Sequence, residues 1–489
     1  MSQRSPLSGV LRSLPWPAVE SISAMISGAI TVFFIARMIG AEAFGRGSIA
    51  FGVVLVMLVG VNSLVHDALV RLPDLQWEDV ELGFSASLAL ALIFSLAGAL
   101  AAPWLGYLFE DQRISYLTWA FLPMLPLAAL SEPLIAVHRR ALDFRTVAIQ
   151  QIGGRTLGAV LGLIAAWNGA GAWSLVLQYV GSACYLTVAM IASAGRLPHL
   201  RFSWRRTAPL LAFCSPIIAS QLLTQGTNRV ILMGVGHWHG VVAAGHWSVA
   251  TRIAESIFGG LNQAAYNVSF AHFSLQQDAR EKLAATMRET QAFSMVLTVP
   301  VLSSLAAASD PLIRLLLGPN WTSVSALMLG PLAASFLLVR RMLPTTALRV
   351  VGRSRASLVA SIAEAATALT GLFLVGQFSV LAVSALYPLG VLAGFVTICV
   401  LVTQEFDIPL HSQLFYLFRD ASIGLGAFIV GKEAAGLLSS SPILEILAAG
   451  GAAFLTAAIL LIWAESALLK NVLLSHRLGA ADKSVVGPQ

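Results

Sequence analysis

Apolar residues run along the chain in long blocks separated by short polar connectors. The blocks fall near 17–38, 44–69, 82–108, 115–137, 147–167 and 171–193, and after the basic stretch GRLPHLRFSWRRT at 195–207 they resume near 208–236, 241–269, 290–317, 323–348, 355–375 and 379–403. A final pair lies near 416–437 and 442–465. Runs of about 18 or more apolar residues predict membrane-spanning helices. The fold class expected is therefore an all-α polytopic membrane protein with about 14 transmembrane helices. The order of blocks divides it into an N-terminal six-helix lobe at 1–194, a basic connector at 195–207, a second six-helix lobe at 208–403, two additional helices at 404–469 and a tail at 470–489, rich in Ala, Ser and charge, that is expected to be disordered. Two blocks of six is an organisation common in transporters built from repeats, although the halves show no evident sequence identity.

Composition sharpens this picture. Only 11% of the 489 residues are charged and 57% are apolar, with a mean hydropathy of +0.80. Soluble domains carry about 25% charge, so a soluble enzyme is excluded and any chemistry must occur inside or against the bilayer. The connectors leave no room for a folded extramembrane domain. The three cysteines, Cys184, Cys214 and Cys399, lie in apolar runs without CxxC spacing, which offers no disulfide frame, metal site or redox motif; no cofactor is expected. Lysine occurs only at Lys282, Lys432, Lys470 and Lys483, an arginine bias that fits a GC-rich bacterial genome.

The net charge of +6 matters through its distribution. Alternate connectors hold Arg139, Arg140 and Arg145, then Arg196, Arg201, Arg205 and Arg206, then Arg280, Lys282 and Arg288, then Arg340, Arg341, Arg349, Arg353 and Arg355, while those near 168–171, 237–240, 318–322 and 376–378 hold no arginine or lysine. The positive-inside bias makes the basic set cytoplasmic. An even span count then leaves both termini in the cytoplasm of a multi-pass protein of the bacterial cytoplasmic (inner) membrane. Phe202 and Trp204 beside the basic run read as interfacial anchors, so no nucleic acid partner is expected. The N-terminal MSQRSPLSGVLRSLPWPA has neither an apolar core of its own nor a cleavage pattern, and reads as a cytoplasmic lead-in.

Polar groups inside spans cost at least about 2.5–3.5 kcal/mol when ionised, so each needs a reason. In the seventh span Gln221, Gln225, Asn228 and Arg229 share one helical face, and in the eighth Arg252, Glu255, Ser256, Gly259, Asn262, Gln263, Tyr266 and Asn267 do the same. Two neighbouring polar stripes imply a hydrated cavity. The first span contributes Glu20, Ser23, Ser27 and Thr31, and the fifth Gln151 and Arg155. Counting from the span ends puts Arg155 in the cytoplasmic third, Arg252 near the middle and Arg229 in the outer third, three depths that suit an anionic substrate in transit. The substrate-binding set expected is Arg252, Arg229, Arg155, Gln225, Asn228 and Asn262. The plainer alternative pairs each arginine with a carboxylate, Arg252 with Glu255 for example.

Glu364, Glu255 and Glu20 are candidates for binding a coupling ion. Glu364 stands out because no basic residue lies three or four positions away in its helix. Asp67 precedes Arg71 by one turn and reads as a surface ion pair. Gly154, Gly158 and Gly162 make a small face suited to close helix packing, and prolines at 123, 126, 216, 300, 331 and 388 allow bends.

Four stretches carry a family resemblance: IGAEAFGRGSIAF at 39–51, RRALDFRTVAIQQIGGRTLGAVLGLIAAWNGAGAWSLVLQ at 139–178, AGHWSVATRIAESIFGGLNQAAYNVSFAHFSLQQDAREKL at 244–283 and LTVPVLSSLAAASDPLIRLLLGPNWTSVSALMLGPLA at 297–333. They resemble the Wzx-type polysaccharide-transport branch of the multidrug/oligosaccharidyl-lipid/polysaccharide flippase superfamily. The resemblance implies two six-helix lobes around a central cationic cavity. It also implies a flippase moving a polyprenyl-diphosphate-linked glycan from the cytoplasmic to the outer leaflet for exopolysaccharide, capsule or O-antigen export. Within ATRIAE at 250–255 it implies a cavity role for Arg252. The implied partners are that lipid-linked glycan, membrane lipids, and polysaccharide polymerase and chain-length proteins. Two rival readings are a multidrug and toxin extruder, which should line its cavity with carboxylates more than arginines, and a membrane polymerase or ligase, which should carry a sizeable outer loop. A scaffold without transport is the remaining alternative.

Overall fold

The computed structural model describes residues 15–71, 76–201, 203–274, 279–353, 355–438 and 441–466. Helices account for the regular structure of these residues: α1 (Pro15–Ile30), α2 (Ala36–Arg71), α3 (Trp77–Leu108), α4 (Gln112–Phe121), α5 (Met124–Arg140), α6 (Phe144–Trp167), α7 (Trp173–Ala194) and α8 (Trp204–Ser274). They continue with α9 (Arg280–Ala307), α10 (Ser309–Leu316), α11 (Ser323–Leu327), α12 (Leu329–Val350), α13 (Arg355–Val375), α14 (Val380–Phe406), α15 (Leu410–Leu437) and α16 (Pro442–Ala464). A π-helical turn, Thr31–Ile35, joins α1 to α2. Among the described residues 11 stretches are long and apolar enough to cross a membrane.

Two continuous helical stretches, α1 into α2 and α8, are too long for one bilayer crossing. With 71 residues at about 1.5 Å each, α8 would measure about 105 Å if straight, against a hydrocarbon core of about 30 Å. Gly240, at φ 84° and ψ 168°, breaks it, and Gly40, at φ 79° and ψ 167°, breaks the stretch from α1 into α2 in the same way. Both glycines adopt a backbone conformation that a Cβ would strain. These breaks fall where the sequence separates 17–38 from 44–69 and 208–236 from 241–269.

The two breaks are also where the halves show themselves to be repeats. Gly40, Gly45, Ser48 and Ala50 recur as Gly240, Gly245, Ser248 and Ala250, and the two segments pack on one another reciprocally. A Cβ on Gly45 would lie 2.0 Å from the Val241 carbonyl oxygen, and one on Gly245 would lie 2.1 Å from the Ala41 carbonyl oxygen. Between them Ser248 and Ser48 share a hydrogen bond of 2.9 Å across a separation of 200 residues.

Two compact units are distinguished: residues 1–264 with 316–331 and 357–394, and residues 265–315 with 332–356 and 395–489. In the first, Gly154, Gly158 and Gly162 bring α6 against α7 as the small face requires; a Cβ on Gly158 would meet the Gln178 carbonyl at 2.4 Å. Asp143 caps α6 by accepting from the Thr146 amide at 3.2 Å, a bond typical of an N-terminal cap. Partial burial pushes its carboxyl pKa up, but hydrogen bonds from Thr146 and His138 outweigh this and hold it below the ordinary value. In the second unit, Ala449, Ala453, Ala457 and Leu461 form the buried stripe of α16, and Gly431 of α15 lies so close that its Cβ would meet the Ala449 carbonyl at 2.5 Å.

Several spans differ from their sequence-based bounds. The ninth was expected near 290–317, whereas α9 starts at Arg280 and ends at Ala307. Its first turns, REKLAATMRET, are too polar for the bilayer but rich in strong helix formers, so the helix begins before the apolar run does. The fourth is broken into α4 and α5 at Leu122 and Pro123, where the proline ring removes a backbone donor.

Candidate functional site

The polar faces of the first unit are organised around the two arms of α8. Arg252, on the arm after Gly240, donates from Nη1 to the Tyr179 hydroxyl on α7. Its guanidinium lies 5.3 Å from the centre of the Phe44 ring and 5.8 Å from that of Tyr179. Tyr179 stacks on Phe51 with centroids 4.2 Å apart. Arg252 is therefore held by aromatic groups of the first half, and among the described residues its guanidinium makes no other hydrogen bond. The alternative pairing with Glu255 is not present: no ion pair joins them among the described residues, and Glu255 is exposed. Tyr179 takes the guanidinium instead, a partner that spacing within one helix cannot disclose.

On the other arm, Arg229 lies beside Gly52, whose Cβ position would be 3.2 Å from Arg229 Cδ. Its Nε is buried without a hydrogen-bond partner among the described residues. Asn228, Arg229, Trp247, Thr251, Glu255 and Tyr387 surround a small cavity of about 10 Å³, room for roughly one water. Asn228 Oδ1 accepts from the Tyr387 hydroxyl at 3.1 Å. Gln225 is half-buried one turn before Arg229. Asn262 lies on α8, but its side chain is outside the described residues, as are those of Gln263, Tyr266, Asn267, Asp67 and Arg71. Phe202 and the tail also lie outside them.

Arg155 stands apart from this pair. Its Nη1 donates to the Glu20 carbonyl at 3.0 Å and its Nη2 to Gln151 Oε1 at 3.1 Å, with the Glu20 carboxylate 3.7 Å from Nη2. It ties α6 to α1, and Glu20 also lies 4.0 Å from Arg139. Glu132 on α5 feels the charges of Arg139 and Glu20, a member of this cluster that the sequence did not single out. Glu364 of α13 is buried, 7% exposed, and engaged by a polar or charged neighbour. One turn earlier, Ser361 bonds Ser220 at 2.9 Å and Thr224 at 3.2 Å on α8.

The second unit contains a charge cluster that sequence reasoning placed elsewhere. Arg340, read as part of a cytoplasmic connector, lies inside α12 and is only 5% exposed. Its Nη2 is 3.4 Å from Oδ2 of the fully buried Asp420 on α15. Arg419 donates to Asp420 Oδ1 from Nε and Nη2, at 2.9 and 2.8 Å, and also to Glu465. Two guanidiniums and two carboxylates thus form one tetrad, buried except for the partly exposed Arg419. Nothing in the spacing of α12 could have announced a partner on α15.

These features define a class: an all-α, multi-pass membrane protein whose two related segments close on one another and whose polar interior carries arginines. The chain belongs to the polysaccharide biosynthesis protein family, whose pattern it matches over residues 34–326. It is 26% identical over 312 residues to the succinoglycan biosynthesis transport protein ExoT of Rhizobium meliloti, covering 64% of this chain and 63% of that one. It is 22% identical over 323 residues to the lipopolysaccharide biosynthesis protein WzxC of Escherichia coli, covering 63% of each. The match thus spans less than two thirds of either relative. In fold the chain is similar to the lipid II flippase MurJ in an inward closed conformation, with a TM-score of 0.71 and 12% identity over 92% of this chain and 98% of that one. It is also similar to an inward-facing multidrug resistance transporter of the MATE family, with a TM-score of 0.59 and 14% identity over 77% and 96%.

Proposed function

We propose that this protein is a flippase that carries a polyprenyl-diphosphate-linked oligosaccharide from the cytoplasmic to the outer leaflet of a bacterial inner membrane. The observation that carries the reading is the pair Arg252 and Arg229 on α8, one held by Tyr179 and the Phe44 ring and the other with a buried Nε that has no hydrogen-bond partner among the described residues. A guanidinium presents forked donors that match phosphate oxygens. Membership of a polysaccharide biosynthesis family and likeness to a succinoglycan biosynthesis transport protein and a lipopolysaccharide biosynthesis protein support the same substrate class.

In this reading the chain has 14 spans with both termini cytoplasmic, arranged as lobes at 1–194 and 208–403 with an additional helix pair. Arg252 and Arg229 engage the diphosphate, and Gln225, Asn228 and Asn262 contact the glycan. Arg155 contributes at the cytoplasmic approach, exchanging Glu20 for substrate. Glu364, Glu255 and Glu20 serve ion coupling. The cargo is delivered to polymerase and chain-length proteins. The fold is shared with a multidrug extruder, but the two arginines of α8 suit an anion better than a cationic drug.

The test is surface polysaccharide and accumulated lipid-linked precursor in cells expressing variants at matched membrane levels. Arg252→Ala and Arg229→Ala should each lower export by at least about tenfold, the loss expected for one charge-assisted contact to the moving group, with precursor accumulating. Arg252→Lys should retain part of the activity. Normal export by both alanine variants would overturn the reading.

A further inference from the structure

Beside the tetrad, the second unit forms a cavity of about 280 Å³ whose polar lining is Arg288, Gln291, Arg340, Ser412, Gln413, Tyr416 and Glu465. The remaining wall is largely apolar, supplied by Met287, Pro344 and Phe395 among others. Its polar end is rigidly built. Gln291 donates to the Arg340 carbonyl at 2.6 Å, and the Arg419 and Arg340 guanidiniums lie 4.9 and 5.9 Å from the centre of the Tyr416 ring.

Charge balance identifies the kind of ligand. Arg340 and Arg419 are compensated by Asp420 and Glu465 within the tetrad. Arg288 is exposed at the cavity and has no ion-pair partner among the described residues. The site therefore presents one surplus cation at the edge of an apolar pocket, which calls for an amphiphile with a single anionic head. The volume is near the lower end of small-ligand pockets, about 300–1,000 Å³. That admits a phosphate head group and is too small for an oligosaccharide diphosphate.

Position narrows the source. The cavity lies near the start of α15 and the end of α16, on the side where Arg280 and Arg353 pair with Glu405 at 2.8 and 3.0 Å. Under the orientation proposed above, on which this step rests, that is the cytoplasmic leaflet. Basic pockets between spans on that side take anionic lipid head groups. We infer that this cavity is a binding site for a resident anionic glycerophospholipid, its phosphate on Arg288 and the upper part of its chains along the Phe395 wall.

The experiment is native mass spectrometry on the purified full-length protein titrated with phosphatidylglycerol or phosphatidylcholine, with inorganic phosphate and a polyprenyl diphosphate as competitors. Phosphatidylglycerol should be retained in preference to phosphatidylcholine. Arg288→Gln should weaken it by about tenfold, the loss of one charge-assisted contact, and Ser412→Trp, which fills the pocket, should abolish it. Neither competitor should displace it. Equal retention of the two lipids, or retention unchanged in both variants, would overturn the inference. Displacement by inorganic phosphate would make it a free-anion site, and displacement by the polyprenyl diphosphate a substrate site, either of which also overturns it. Polysaccharide export measured in parallel separates the two readings: lost lipid binding with intact Arg252-dependent export sinks only this one, while selective lipid binding without such export sinks only the flippase.

Discussion

The reciprocal contact between the repeats gives a prediction whose size follows from the distances between the two backbones. An added methyl on Gly45 would lie 2.0 Å from the Val241 carbonyl oxygen and 3.0 Å from the Gly245 nitrogen. A close carbon–oxygen contact is about 3.3 Å, so Gly45→Ala must part the two segments by about 1.3 Å. Both obstructing atoms are backbone, which leaves no side chain to swing aside. Overpacking of this kind costs about 1–3 kcal/mol. The same displacement stretches the 2.9 Å Ser248–Ser48 bond, worth a further 0.5–1.5 kcal/mol or so. At a combined cost of about 2–4 kcal/mol the closed arrangement loses at least roughly thirtyfold in population.

Cysteines report this directly. In a Ser48→Cys/Ser248→Cys protein the two sulfurs are positioned for oxidation to a disulfide, which demands close Cβ atoms. Mild oxidation of membranes should cross-link the parent readily and slow by at least about tenfold when Gly45→Ala is added. Gly245→Ala should act alike. The double glycine variant should cost less than the two together, because one parted contact serves for both. Cross-linking rates and unfolding temperatures equal to the parent in both single variants would refute the argument.

The remaining predictions concern the buried charges. Asp420→Asn removes the carboxylate facing Arg340 and should destabilise the protein by about 3–5 kcal/mol, the cost of breaking one side of a buried pair. Thermal unfolding of the purified protein measures it, and a loss no greater than for Glu445→Gln, whose partner Arg314 is 48% exposed, would contradict the role. Glu364→Gln should abolish the dependence of export on an imposed proton or sodium gradient while leaving the protein folded; an unchanged dependence would remove Glu364 from coupling.

The all-helical class was legible because apolar length is a one-dimensional signal. The breaks at Gly40 and Gly240 were legible for the same reason, each falling in a gap between apolar runs. Partners across the fold were not. Spacing offered Glu255 to Arg252, whereas the structure supplies Tyr179, and it placed Arg340 in a connector because Asp420 lies far along the chain. The repeat organisation was legible as two blocks of six, but its residue-by-residue correspondence was not, for a different reason. Its constraint is backbone meeting backbone at Gly45 and Gly245, which fixes only a few small residues and leaves the positions between them free to diverge.

That freedom is used unequally. With the two segments aligned on Gly40 and Gly240, the position of Arg252 corresponds to Gly52 and that of Arg229 to Ala29. Gly52 is itself packed against the Arg229 side chain, and Phe44 and Tyr179 of the first half receive Arg252. One repeat supplies space and aromatic faces where the other supplies charge. A single methyl at position 52 would fall 3.2 Å from Arg229 Cδ, so the first repeat could not carry a bulky side chain there without displacing that arginine. The symmetry of the backbone thus brings the segments together, and its absence in the side chains leaves Arg229 and Arg252 on α8 without counterparts at positions 29 and 52.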